Sequence, residues 1–300
     1  MTPSDPAIDS TNDGSGDPSG ESPAVLAPGL YIVATPIGNL GDLSPRAAAT
    51  LAGVAVIAAE DSRVTAKLLH HINVRVPMLA YHDHSDAGVR AGLIARALVS
   101  AVALVSDAGT PLISDPGFKL VQGARAAGVN IVTIPGPCAA IAALTLAGLP
   151  TDRFLFAGFL PPKAGARATA IAELAGVRAT LVLYESGPRL AASLAALAKG
   201  LGNRDAAVGR ELTKRFEETV TGSLTELAAR YADAPPRCEI VITIAPPGDV
   251  PRADAATLDA ALTAALGDGS VKSAVAMVSA TLGLPRVQVY ARALELKARK

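Results

Sequence analysis

Aromatic side chains are scarce in this chain, which has no tryptophan, five phenylalanines and five tyrosines among its 300 residues. Half of the residues are nevertheless hydrophobic. The cores must therefore be built mainly from small aliphatic side chains, which suits helices that lie close against a sheet. The length is enough for about two domains.

Cysteines are few, and long apolar runs are absent. Cys138 and Cys238 are the two cysteines, and both lie in apolar segments. Such thiols are more often core atoms than a disulfide, which fits a reducing compartment. No apolar run reaches the roughly eighteen residues of a membrane span, and the polar, acidic start does not have the pattern of a signal peptide. We therefore expect a cytoplasmic protein with no membrane partner.

Net charge is absent too, although the charges are unevenly distributed. The chain has 27 basic and 27 acidic residues, and five of the acids lie in residues 1–24, which hold no lysine or arginine. The remainder thus has an excess of five positive charges, which is compatible with nucleic-acid binding without requiring it. Residues 1–28 have little to bury, and we expect a disordered tail.

Several catalytic motifs are missing. The chain has no Gly-x-x-x-x-Gly-Lys-Ser/Thr loop of nucleoside triphosphatases, and no Gly-x-Gly-x-x-Gly follows its first predicted strand, which argues against a nicotinamide dehydrogenase. There is also no Gly-x-Ser-x-Gly elbow for acyl transfer. His82 and His84 are spaced as two metal ligands, but no third ligand stands at a suitable spacing, so we predict no metal.

The most informative segment present is the stretch 101–117. Residues 101–105 are apolar and partly β-branched, which is typical of a strand buried on both faces of a parallel sheet. A loop rich in Asp, Gly and Pro follows, longer than most such connections, and a helical pattern then begins at Phe118. Ligands bind at the carboxyl ends of strands in open α/β sheets, so Asp107 is predicted to face a crevice. The alternative is a plain connection with Asp115 as the helix cap.

Residues 29–150 alternate between strand and helix patterns. Strands are predicted at about 30–34, 54–58, 77–80, 101–105 and 129–134. This alternation indicates βαβ units and a mostly parallel sheet. Polar or glycine-rich clusters follow four of the strands, and in that topology they lie along one edge of the sheet.

A second α/β domain is predicted for residues 151–247, with the boundary near Pro150. Its segments are a Phe-rich stretch, a basic flexible piece at 163–167, and strands at about 180–184, 206–209, 216–221 and 239–244, which indicate a mixed or antiparallel sheet.

Residues 248–300 are predicted to form a third, helical module. Its helices lie at about 254–266, 271–282 and 286–297, and the last two resemble a helix-turn-helix. Basic residues lie on or near the last helix, namely Arg286, Arg292, Lys297, Arg299 and Lys300. A nucleic-acid contact and a plain helical hairpin both remain open for this module.

Seven motifs together resemble those of one family. They occupy residues 34–42, 59–63, 81–84, 105–117, 135–137, 184–186 and 210–214. On these motifs residues 29–300 are similar to the tetrapyrrole methylase family, methyltransferases that bind S-adenosylmethionine between two α/β domains. The resemblance is greatest to a subgroup that methylates the ribose 2′-oxygen of a cytidine in the decoding region of 16S rRNA. It implies that fold with a C-terminal helical module, the rRNA or small ribosomal subunit as partner, and a homodimer.

The resemblance also implies the cofactor contacts. Residue by residue they fall on Pro36, Ile37, Asp107, Gly109, Thr110, Cys138, Ala139, Tyr184 and Glu211. The subgroup usually has Tyr-Glu-Ser-Pro-His-Arg where this chain has Gly187, Pro188 and Arg189 after Ser186, so a histidine that could serve the acceptor is missing.

The acceptor hydroxyl is a weak nucleophile, so a nearby base is expected. We predict Glu60 and Asp61 with His82, while Glu185 is a further candidate. Asp61 could instead cap the following helix, and Glu185 could pair with Arg189. Phosphates are expected to contact Arg63, Lys163, Arg189, Lys214 and Arg215.

Two other functions remain open. A corrinoid or porphyrinoid precursor methyltransferase would share the fold and the cofactor. A non-catalytic RNA-binding protein would keep the basic residues without needing the paired glycine-rich turns.

Overall fold

A computed structural model describes residues 26–82, 85–248, 255–267, 270–282, 284 and 286–298. The predicted disordered tail lies, up to residue 25, outside the described residues. His84, Arg299 and Lys300 also lie outside them.

The first sheet has five strands, and all of its pairs are parallel, as the alternating pattern predicts. The strands are β1 (Gly29–Val33), β2 (Val56–Ala59), β3 (Met78–Ala80), β4 (Ala101–Val105) and β5 (Ile131–Ile134). Their order across the sheet is β3-β2-β4-β1-β5. The intervening helices are α1 (Pro45–Gly53), α2 (Ser62–His71), α3 (Ala87–Ala97) and α4 (Phe118–Ala126).

Strand β4 is buried on both faces because helices cover both faces of the sheet. Its residues 101, 103 and 105 belong to a core shared with α1 and α2, whereas Val102 and Leu104 belong to a core shared with α3 and α4. Side chains alternate across a strand, so a continuous apolar run is what a strand between two helical layers requires.

The starts of the helices agree with capping chemistry. The Ser44 hydroxyl accepts a hydrogen bond from the Ala47 N–H, and Pro45 opens α1. Asp61 caps α2 and Asp86 caps α3 through their carboxylates. Such caps satisfy backbone donors that have no partner inside the helix.

The second sheet is mixed. Its strands are β6 (Phe154–Phe159), β7 (Thr180–Ser186), β8 (Asp205–Arg210), β9 (Glu218–Ser223) and β10 (Glu239–Ile244), in the order β6-β7-β10-β8-β9. Strand β6 runs parallel to β7, and the other neighbours are antiparallel. The helices α6 (Ala164–Leu174), α7 (Leu190–Leu201) and α8 (Leu224–Arg230) contribute to a core with one face of the sheet.

Two expectations for this region were wrong. Residues 164–167 are not a flexible piece, because α6 begins at Ala164 with Lys163 at its N-cap, and the Arg167 N–H donates to the Lys163 carbonyl at 2.9 Å. Strand β9 begins at Glu218 rather than at Phe216, because 211–217 form a turn-rich loop.

Helix α5 (Ala139–Leu146) links the two sheets. It follows β5 of the first sheet, but Ala140, Ala143 and Leu144 are buried in a core with Val182 and Val241 of the second sheet. The division of the chain near Pro150 stays a prediction, and this helix lies before it.

The C-terminal residues form three helices around a small core of their own: α9 (Ala255–Gly267), α10 (Val271–Leu282) and α11 (Arg286–Ala298). Arg292 is one of the basic residues of the last helix, and its guanidinium donates to both carboxylate oxygens of Asp259, at 2.7 and 2.6 Å. This pair holds α11 to α9. In the part of the chain that the structure describes, no helix combines the length and apolarity that crossing a membrane requires.

Gly187, where the chain departs from the usual subgroup motif, is tightly enclosed. A Cβ built on Gly187 would lie 1.8 Å from the Pro236 carbonyl oxygen, whereas one on Gly176 would meet nothing within 4 Å. We expect Gly187→Ala to lower the free energy of unfolding by about 3 kcal/mol, because backbone must move to admit the methyl group. Urea unfolding of both variants measures this, and a Gly187→Ala protein as stable as Gly176→Ala would contradict it.

Candidate functional site

A cleft of about 500 Å³ lies between the two sheets. On one side it is lined by the loops that follow β1, β2, β4 and β5, which all end at the same edge of the first sheet. On the other side it is lined by the ends of β6 and β7, the loop after β8 and the start of β10. Cavities of roughly 300–1,000 Å³ are typical of cofactor and small-molecule sites.

The cleft brings together eight of the nine residues predicted to contact a cofactor. These are Ile37, Asp107, Gly109, Thr110, Cys138, Ala139, Tyr184 and Glu211. The ninth, Pro36, is partly buried directly before Ile37 and is not among the lining residues.

Backbone hydrogen bonds hold the loops after β1 and β4 together. Thr35 and Gly109 exchange two backbone N–H···O hydrogen bonds of 2.8 and 3.0 Å. The Thr110 hydroxyl also donates to the Pro137 carbonyl at 2.9 Å, which joins the loop after β4 to the loop after β5. Gly109 has a φ of +82°, and a Cβ on it would lie 3.2 Å from Ile37 Cγ2. Glycine therefore serves two needs there, the left-handed backbone and the close approach of the neighbouring loop.

Strained backbone is concentrated in two of the cleft-lining loops. Among the described residues five non-glycine residues have positive φ, and four of them lie in these loops, at Leu112, Ser114, Glu211 and Thr213. Such conformations cost free energy and persist where the surrounding structure imposes them, often at binding sites.

Tyr184 of β7 connects the second sheet to α5. Its hydroxyl accepts a hydrogen bond of 3.1 Å from the Ala140 N–H in the first turn of that helix. Phe156 packs edge-on against the ring, with 4.8 Å between the ring centroids. Burial, and then the neighbouring Cys138, raise the pKa of Tyr184 above its usual value, so the hydroxyl is neutral at physiological pH.

Carboxylates give one part of the cleft a negative potential. Partial burial raises the pKa of Asp115 to about 6, and the charges of Glu60, Asp107 and Glu239 add to that effect, while a hydrogen bond from Ser106 opposes it. The Asp107 N–H donates to Glu60 Oε2 at 3.3 Å. Lys214 and Arg237 are the basic residues in the lining. An anionic wall of this kind favours a cationic ligand.

The three predicted acid–base residues do not meet at one point. Glu60 lines the cleft. Asp61 does not, because its carboxylate caps α2 and binds the Arg63 guanidinium at 2.6 Å, which lowers its pKa to about 2. His82 is exposed and also lies outside the lining. It follows β3, the edge strand, which β2 separates from β4.

The residues predicted to contact phosphate are similarly dispersed. Lys214 lines the cleft, with its ammonium 3.2 Å from Glu211. Arg189 instead pairs with the buried Glu185 at 3.3 Å and donates to the Leu160 carbonyl at 2.6 Å, so it supports the end of β7. The exposed residues Arg63, Lys163 and Arg215 lie outside the lining.

Some lining residues were missed from the sequence, namely Phe159, Asp115 and the stretch 237–241. The last of these lies at the amino end of a strand, whereas the general rule for α/β sheets predicts ligands at carboxyl ends. Strand β10 is antiparallel to β7 and β8, so its amino end lies beside their carboxyl ends. The predicted antiparallel character of this sheet could have indicated it.

Among the described residues no group of three or more His, Cys, Asp or Glu side chains is placed to hold a metal ion. The lining of the cleft offers carboxylates, one neutral phenol, two thiols, the two hydroxyls of Thr110 and Ser114, and the basic side chains of Lys214 and Arg237.

Comparison with known proteins places this geometry in a family. Residues 29–228 match the model of the Tetrapyrrole (Corrin/Porphyrin) Methylases, and residues 252–297 match the RsmI C-terminal HTH domain. The chain is 52% identical over 272 residues to a ribosomal RNA small subunit methyltransferase I of Erythrobacter litoralis, a match that spans 91% of this chain and 96% of that protein. It is 46% identical over 275 residues to the protein of that name in Mesorhizobium japonicum, covering 91% and 93%.

Among solved structures, a diphthine synthase superposes with a TM-score of 0.56 at 18% identity, covering 72% of this chain and 89% of that one. That likeness shows the fold alone. The family match and the close relatives agree, and the chain therefore belongs to the tetrapyrrole methylase family, among the relatives named ribosomal RNA small subunit methyltransferase I.

Proposed function

We propose that this protein transfers a methyl group from S-adenosylmethionine to the ribose 2′-oxygen of a cytidine in the decoding region of 16S rRNA. The observation that carries the proposal is the convergence of eight of nine predicted donor contacts on one cleft. The names of the close relatives support an rRNA acceptor. The cytidine and its 2′-oxygen come from the resemblance of the motifs.

The chemistry of the cleft fits this donor. S-adenosylmethionine is a sulfonium cation, and when bound it supplies an electrophilic methyl group. Asp107 and Asp115 provide negative charge beside it. Gly109 lets the donor approach the backbone closely. The Cys138–Ala139 turn lies on the same side of the cleft, and Tyr184 belongs to the opposite side, which the second sheet forms.

Positioning accounts for most of the catalysis that we propose. The acceptor oxygen must be held in line with the methyl group and the sulfur, at about 3–3.5 Å from the carbon that it attacks. The hydroxyl proton must leave as the carbon–oxygen bond forms, and a carboxylate in the cleft accepts it. We assign that role to Glu60, the member of the predicted trio that lines the cleft. Asp61 and His82 then take no direct part in the proton transfer and contribute only to the structure of the loops in which they lie.

The acceptor strand is proposed to follow basic side chains. Lys214 and Arg237 lie at the cleft, and Arg63, Lys163 and Arg215 are exposed outside it. Arg189 is better assigned to the support of β7 through Glu185.

We also propose a cytoplasmic homodimer as the active form, and sedimentation velocity of the purified chain measures its mass.

Donor binding is tested at Asp107. We expect Asp107→Ala to weaken S-adenosylmethionine binding by about tenfold, because it removes a negative charge and the acceptor of the 3.0 Å hydrogen bond from the Asp61 N–H. Isothermal titration calorimetry measures the dissociation constant. Asp152→Ala, at an exposed site outside the cleft, is the matched control, and equal affinities for both variants would contradict the assignment.

The acceptor is tested by offering three substrates side by side. Small ribosomal subunits, naked 16S rRNA and a porphyrinoid precursor are incubated with labelled donor, and primer extension at low nucleotide concentration locates any 2′-O-methyl group. We expect label in rRNA at one cytidine. Label in the porphyrinoid alone would identify a precursor methyltransferase, whereas RNA binding without any label would identify a non-catalytic binding protein.

Asp115 should make donor binding depend on pH. Since its pKa is raised to about 6, its carboxylate is charged at pH 7.5 and largely neutral at pH 5. We expect the affinity for the cationic donor to fall about threefold between these values, and Asp115→Asn to remove most of that dependence. Calorimetry at both pH values measures the effect, and identical profiles for the two proteins would refute it.

The same variant provides its own folding control. The pKa of Asp115 in the folded protein lies above the ordinary aspartate value of 3.8, so the stability of the wild type falls as the pH rises from that value to about 6. Asp115→Asn should therefore be more stable than the wild type at pH 7.5, with a difference that shrinks towards pH 4. Weaker donor binding by a more stable variant cannot come from misfolding.

A further inference from the structure

An extra residue in β6 turns Phe159 towards the cleft. Strand β6 pairs with β7 in regular register from Phe154 to Phe156, and then the register shifts, so that Gly158 pairs with Leu183 and Phe159 with Tyr184. Ala157 is the additional residue. In an unbroken strand, residues 156 and 159 would point to opposite faces. Irregularities of this kind occur beside active sites, where they redirect a side chain.

The face that Phe159 occupies is known from its partners. Val182 and Tyr184 of β7 belong to the core that α5 covers, whereas Leu181 and Leu183 belong to the core on the opposite face. The ring of Phe159 lies 5.6 Å from that of Tyr184, in an edge-type contact with 64° between the planes. The extra residue thus places Phe159 on the face that borders the cleft.

The exposure of this ring is what calls for an explanation. Phe159 lines the cleft and remains 48% exposed, although Tyr184 holds it on one side. The preceding Gly158 has a φ of +62°, and a Cβ on it would lie 3.4 Å from Ser114 Oγ in the long loop after β4. The extra residue in β6 and the contact with Tyr184 therefore place a half-exposed aromatic ring in the lining of the cleft.

We propose that Phe159 stacks on the base of the acceptor nucleotide and so positions its ribose for methyl transfer. This inference rests on the proposed function. Single-stranded RNA is commonly recognised by bases that leave the helical stack and lie on aromatic side chains. The donor also carries a base, but its predicted contacts lie along the loops of the first sheet, on Tyr184 and on Glu211, and they do not include Phe159.

Three substitutions separate a stacking ring from apolar bulk. Phe159→Ala removes both, Phe159→Leu keeps the bulk without the ring, and Phe159→Tyr keeps the ring. We expect kcat/KM for the rRNA substrate to fall about tenfold in the first two variants, which is the scale of one lost base stack, and to stay within twofold of wild type in Phe159→Tyr. The dissociation constant for S-adenosylmethionine without RNA should not change.

Phe154→Ala is the matched control. Phe154 lies on the same strand and face and is 44% exposed, but it does not line the cleft, so its kcat/KM should equal that of the wild type. A Phe159→Leu protein as active as the wild type would overturn the proposal. Donor binding that weakens in Phe159→Ala by as much as kcat/KM falls would assign the ring to the donor's adenine instead, and would overturn it as well.

The activity of the wild-type protein separates a failure of the proposed function from a failure of the stacking role. If it methylates no rRNA, the proposed function fails and the stacking role fails with it. If it is active, and Phe159→Ala and Phe159→Leu are each as active as the wild type, the stacking role alone fails.

Discussion

The packing of α5 on the second sheet is the contact on which the cleft depends. This helix leaves the edge of the first sheet directly after β5 and buries its alanines against Val182 and Val241. The Tyr184 hydroxyl accepts a hydrogen bond from the Ala140 N–H in the first turn of this helix. The Cys138–Ala139 turn on one side and Tyr184 on the other are thus held at a fixed separation. Small side chains on the helix allow this close approach, which explains why so alanine-rich a segment stands between the sheets.

The site combines features that cost stability. Carboxylates share the cleft with a partly buried Asp115, and four left-handed non-glycine residues lie in two of its loops. Elsewhere the same residue types stabilise the fold: Ser223 and Glu226 form a capping box at the start of α8, and Glu185 is buried with a hydrogen bond of 2.6 Å from Ser193 and the Arg189 ion pair. Glu185 and Glu226 thus support the scaffold, whereas Glu60, Asp107 and Asp115 line the cleft, where a ligand can reach them.

The fold was largely predictable because its signals are local. A buried parallel strand such as β4 must be apolar along its whole length, and helices such as α1 and α2 begin at side chains that can cap them. The candidate site was predictable where it depends on the loops after β1, β4 and β5, because parallel strands end at one edge. It was not predictable at His82, and at Asp61 the sequence left a catalytic base and a helix cap both open. Strand order places β3 at the edge of the sheet, and a helix cap uses the carboxylate of Asp61.

The amino-acid sequence was enough to predict the alternation of strands and helices, the glycine and aspartate turns, and the motifs that carry the family resemblance. Each of these depends on residues that are close together along the chain. The three-dimensional structure was needed to show that α5 covers the second sheet, that the amino end of β10 lines the cleft, and that an extra residue in β6 turns Phe159 towards it. Those features depend on how distant segments pair, and strand register and packing partners are properties of two segments at once, which a pattern along one segment does not contain.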